Sequence, residues 1–78
     1  MDNIRENDVV ALLVDQPDIG LHRGDIGTVI QVFELTAGHP SGVIVEFVDE
    51  DGKVQAQTDI TDETQIVRLR YSPALQAA

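Results

Sequence analysis

Three glycines fall within eight residues, at Gly20, Gly24 and Gly27, and the run Gly24-Asp25-Ile26-Gly27-Thr28-Val29-Ile30-Gln31-Val32 carries the chain from that turn directly into β-forming residues. Glycine tolerates positive φ and close approach of a neighbouring backbone, so such a stretch doubles the chain back and feeds it into a strand through a bulge or tight bend. The remaining segments are expected to pack around that bend.

With 78 residues, the chain reads as one domain over 1–78, with loose ends at about 1–6 and 72–78. It has no cysteine, so neither disulfides nor thiolate metal sites supplement the core. No basic segment followed by an apolar one opens the chain, and no apolar run approaches the roughly 20 residues that span a bilayer. The expectation is a cytoplasmic protein that does not engage a membrane.

Asp8 opens Val9-Val10-Ala11-Leu12-Leu13-Val14, too short and too valine-rich for a helix, and this reads as a first strand ended by Asp15-Gln16-Pro17-Asp18. Residues Ile26 to Leu35 form a second strand whose apolar residues do not alternate cleanly, as expected of a strand that bends. A breaker-rich loop, Thr36 to Gly42, is expected to be exposed and mobile. Val43, Val45 and Phe47 share one face of a third strand, with Ile44, Glu46 and Val48 on the other. Asp51-Gly52 supplies a positive-φ pair for a hairpin turn, and Lys53 to Thr58 returns with Val54 and Ala56 inward. Asp59 to Thr64 is expected to close a turn of 3-10 helix before a last strand, Gln65 to Arg70. Five short strands without a long helix predict an all-β chain, folded as a small barrel that pairs its own edges.

The run Gly24 to Val32 resembles the KOW motif of SH3-like barrels. Nearly the whole chain resembles the small bacterial family called domain of unknown function 4926, through Asp8-Val9-Val10-Ala11-Leu12, Gly20-Leu21-His22-Arg23-Gly24-Asp25-Ile26-Gly27-Thr28-Val29 and Val45-Glu46-Phe47-Val48-Asp49-Glu50-Asp51-Gly52. The resemblance implies a five-stranded SH3-like barrel, and the strand pattern and glycine bend put Val10, Leu12, Ile26, Val29, Val32, Val45, Phe47, Val54 and Leu69 in its core. KOW-bearing barrels commonly bind RNA or proteins, so the resemblance also implies one of these two roles.

Charge weighs between them. Fourteen acids against five basic residues give a formal charge of −9. Phosphate backbones are gripped by clustered Lys and Arg, whereas Arg5, Arg23, Lys53, Arg68 and Arg70 are mostly far apart in sequence, and three aromatics are too few for a base-stacking platform. Nucleic acid is therefore disfavoured as a partner, and a basic protein fits better, in an antitoxin-like or immunity-like role. Asp49, Glu50 and Asp51 at the hairpin tip, with Asp59, Asp62 and Glu63 just beyond, are the candidate contact residues. The plainer role for these acids is to keep turns solvated.

Other chemistry finds little footing. The Asp49-Glu50-Asp51 spacing does not fit a calcium loop, and His22 and His39 have no zinc-ligand spacing. No nucleophile elbow or phosphate loop occurs, so neither an enzyme nor a bound cofactor is expected. Glu46, Arg68 and Arg70 suit cross-strand ion pairs, and Leu21 and Ile44 are candidate exposed apolar neighbours of a charged patch.

Overall fold

The computed structural model describes residues 4–38 and 40–70. Five strands, β1 (Val9–Leu12), β2 (Ile26–Phe33), β3 (Gly42–Val48), β4 (Val54–Ile60) and β5 (Ile66–Arg68), form one antiparallel sheet in the order β4-β3-β2-β1-β5. Short 3-10 turns at Pro17–Ile19 and Glu63–Gln65 precede β2 and β5. The chain is thus all-β, with the first strand paired to the last and a 3-10 turn just before the last strand. Among the described residues β4 and β5 share no ladder. Even so, Ile60 of β4 and Ile66 of β5 belong to one buried cluster, although the two edges of a flat five-stranded sheet would lie roughly 19 Å apart. The sheet is therefore curled around its core.

The bend in β2 has a definite position. Val29 pairs with Val45 but Gln31 pairs with Ile44, so Ile30 is an extra residue, and beyond it Val32 comes opposite the buried Val43. The glycine-rich turn before β2 is built as its composition predicts, with Gly20 and Gly24 at φ of +74° and +93°. Gly27 supplies room instead. A β-carbon there would lie 2.6 Å from Val45 Cγ1, 2.9 Å from the Glu46 carbonyl oxygen and 2.9 Å from Phe47 Cδ1. No side chain fits between β2 and the inner face of β3.

Val10, Leu12, Leu21, Val29, Val43, Val45, Phe47, Ile60 and Ile66 are buried, with Ile4, Val32 and Ala56 packed against them. Each large apolar side chain so buried contributes roughly 1.5–3 kcal/mol relative to exposure. Five expectations about burial need correction. Ile26 is 57% exposed, because Gly27 and Val29 face inward and alternation turns Ile26 out. Val54 is 56% exposed, because Phe47 pairs with Ala56 while Val48 pairs with Val54, and the bulge at Gln55 reverses the face of Val54. Leu69 is only half-buried. Leu21, expected at the surface, is fully buried. Ile44, its companion in that expectation, is half-buried.

Just before β1, Asn7 N–H donates to the Val29 carbonyl at 2.7 Å, and Asp8 Oδ2 accepts from Arg5 N–H at 2.9 Å, within the lead-in expected to be loose over about 1–6. The first strand ends at Leu12, after which Leu13 N–H bonds to the Gln65 carbonyl. The hairpin turn differs in type. Only Gly52, at φ +81°, takes a positive angle, while Asp49 N–H bonds the Lys53 carbonyl and Gly52 N–H bonds the Asp49 carbonyl. This is a three-residue loop closed by one left-handed glycine. Tyr71, His39 and the tail expectation for 72–78 lie outside the described residues.

Candidate functional site

The six candidate acids fall into two groups that β4 holds apart. Asp49, Glu50 and Asp51 sit at the β3–β4 hairpin, whereas Asp59, Asp62 and Glu63 sit at or just beyond the far end of β4. Seven residues of strand at about 3.3 Å each put roughly 20 Å between the groups. They do not make the single contiguous face that their closeness in sequence suggests.

Their carboxylates also differ in employment. Asp49 Oδ1 accepts from Asp51 N–H at 2.9 Å and Lys53 N–H at 3.0 Å, which holds the hairpin loop. Asp62 caps the second 3-10 turn, with Oδ1 accepting from Thr64 N–H at 2.9 Å and the Thr64 hydroxyl at 2.6 Å. The Thr64 hydroxyl, and then its N–H, hold the Asp62 carboxyl below the usual aspartate range. The same device recurs where Asp15 Oδ1 accepts from Arg23 N–H and Asp25 Oδ2 accepts from His22 N–H. Much of the acidity is thus turn chemistry, since Asp side chains satisfy local backbone donors. Glu50, Asp51 and Glu63 are exposed acids whose side chains perform no such task.

Arg68 Nη1 lies 4.0 Å from Asp8 Oδ2 near the β1–β5 edge, and Glu46 accepts from Gln57 Nε2 at 3.1 Å across β3 and β4. Exposed pairs of this kind contribute about 0–1 kcal/mol.

A second feature lies at the hairpin end. The connection between β1 and β2 folds back on itself through a bridge between Gln16 and Leu21 and seats Leu21 in the core. Two side chains of β4 hold it there: Gln55 Nε2 donates to the Gly20 carbonyl at 3.3 Å, and the Thr58 hydroxyl donates to Gln16 Oε1 at 3.3 Å. A groove of ≈ 90 Å³ remains, lined by Leu21, Asp25, Ile26, Phe47, Val48 and Gln55. It is far smaller than the several hundred Å³ typical of small-molecule sites. The usable signal was parity: with Val29 inward, period two places Ile26 outside.

Among the described residues, no group of three or more His, Asp or Glu side chains is arranged to hold a metal ion. No helix among them is long and apolar enough to cross a membrane.

Fold and surface together define a small all-β domain of five antiparallel strands with an acidic exterior. The sequence matches the family described as Domain of unknown function (DUF4926) over residues 6–67, and the chain belongs to that family. Neither a curated protein nor a solved structure matches it.

Proposed function

We propose that this protein is a small acidic protein-binding module that covers a basic surface of its partner, in an antitoxin-like or immunity-like role. The observation that supports this most is the set of exposed carboxylates on Glu50, Asp51 and Glu63, which remain after the turns have taken theirs, on a chain of charge −9. Complementary charge speeds encounter and discourages wrong partners. The groups at the two ends of β4 then act as separate charged flanks, with Asp49, Asp59 and Asp62 adding to the field. No catalytic role and no cofactor is part of the proposal.

RNA association, the other role a KOW-like motif suggests, has less support: Phe47 is buried, Phe33 is half-buried, and five basic residues stand against fourteen acids. The test is affinity capture from native lysate with the wild type and with a Glu50→Gln, Asp51→Asn, Glu63→Gln variant. Asp49 and Asp62 are left intact because they hold turns. Capture of a basic protein that weakens on neutralisation and at high salt is expected; capture indifferent to both would contradict the acidic-face mechanism.

A further inference from the structure

Ile26, Val48 and Val54 form an outward row across three strands. Val48 pairs directly with Val54, and the register that sets Thr28 opposite Glu46, extended two residues, points Ile26 towards Val48, with which it lines one groove. All three are half or more exposed, at 57%, 50% and 56%. Single exposed apolar residues are ordinary, but three in register form a continuous strip. The strip borders the groove, to which Ile26 and Val48 contribute walls, while the buried Leu21 and Phe47 lie at its base.

The polar members of that groove both offer oxygen. Asp25 is anchored by its backbone, which accepts from Leu12 N–H and donates to the His22 carbonyl, and by Oδ2, which accepts from His22 N–H. Its Oδ1 accepts no hydrogen bond from the described residues. The Gln55 amide nitrogen is committed to the Gly20 carbonyl, so its oxygen is the acceptor that remains. A fixed carboxylate and an amide oxygen beside apolar walls suit a long aliphatic stem with a cationic head. The volume admits one such side chain.

From this we infer that the groove takes a lysine or arginine side chain of the basic protein partner, while the Ile26–Val48–Val54 strip packs on apolar residues beside it. The inference rests on the protein-binding reading above and names its contact surface. Charge selects the occupant: a second copy would bring the same charge of −9 to the face, whereas a basic segment is drawn to it.

The experiment is an NMR titration of the ¹⁵N-labelled full chain with a short peptide alternating arginine and leucine, and with its citrulline–leucine counterpart, which keeps shape and loses charge. Shifts are expected at Asp25, Ile26, Val48 and Gln55 with the arginine peptide. Affinity should fall by about tenfold or more with citrulline, and likewise for Asp25→Asn, which keeps an acceptor for His22 N–H, and for Ile26→Ser, which alters an exposed side chain. No shift at these residues up to about 1 mM peptide, equal binding of the citrulline peptide, or shifts confined to the hairpin tip would overturn the inference. So would self-association of the wild type that Ile26→Ser abolishes, or tighter binding of a single-stranded RNA oligonucleotide at the same residues. A basic partner whose capture survives Ile26→Ser and Asp25→Asn yet fails when Glu50, Asp51 and Glu63 are neutralised would overturn the groove and leave the protein-binding reading standing.

Discussion

Gly27 lies so close beneath Phe47 that a β-carbon added to the glycine would come within 2.9 Å of the ring's Cδ1, and within 2.6 Å of Val45 Cγ1. Both neighbours belong to the buried core, and the Glu46 carbonyl at 2.9 Å is backbone that cannot step aside. Gly27→Val should therefore destabilise by more than about 1 kcal/mol, in the range of overpacked cores, and Gly27→Ala should do so to a smaller degree. Thermal melts of the two variants check this. An unchanged midpoint for Gly27→Val would show that β2 and β3 need no glycine at their contact.

Leu21 and Ile26 exchange the roles that hydrophobicity alone assigns them. Leu21 is fully buried although it sits in a turn, and Ile26 is mostly exposed although it starts a strand. Leu21→Ala should cost about 2–5 kcal/mol, whereas Ile26→Ser should stay within about 1 kcal/mol of the wild type. Urea denaturation separates the two, and comparable losses would place Ile26 in the core after all.

These two residues also show how far the sequence reaches. Strand number, the inward face of Val43, Val45 and Phe47, and the 3-10 turn before β5 all follow from period-two patterning and turn residues, which act locally. Leu21 is buried because two β4 side chains, Gln55 and Thr58, hold its loop down across more than thirty residues of chain, and such contacts leave no local signature. Val54 illustrates the same limit, since a bulge at Gln55 reverses its face without altering the alternation of residue types. The candidate site was legible only in part: the acids were visible as charges, but that Asp49 and Asp62 serve backbone donors depends on turn geometry, and the strand separating the two groups had to be counted as length.

Asp49 and Glu50 are neighbours with opposite expected behaviour. The Asp49 carboxylate accepts two backbone N–H groups, and Asp49→Ala should lose about 1–2 kcal/mol as the hairpin loop loosens. Glu50→Gln should leave the melt within about 0.5 kcal/mol. Equal sensitivity at the two positions would remove the distinction between turn acids and contact acids.

Asp62 gives the fold a pH dependence of known sign. Its carboxyl is held below the ordinary value in the folded chain by the Thr64 hydroxyl and N–H, so its contribution is present above the unfolded pKa, about 3.9, and is lost as pH falls through the lower folded value. Asp62→Ala should therefore differ from the wild type most at neutral pH and least in strong acid. Denaturation profiles across that range check the convergence; a gap that widens on acidification would contradict the assigned cap.

The claim that carries the functional account is that an acidic surface draws in a basic partner. Its most direct test is the association rate of the captured partner as ionic strength rises, measured by stopped flow with the wild type and the Glu50→Gln, Asp51→Asn, Glu63→Gln variant. The rate should fall steeply with salt for the wild type and less steeply for the variant, since steering by exposed charge is screened within about 10 Å at 0.1 M. A rate independent of salt, and equal in the two proteins, would contradict it.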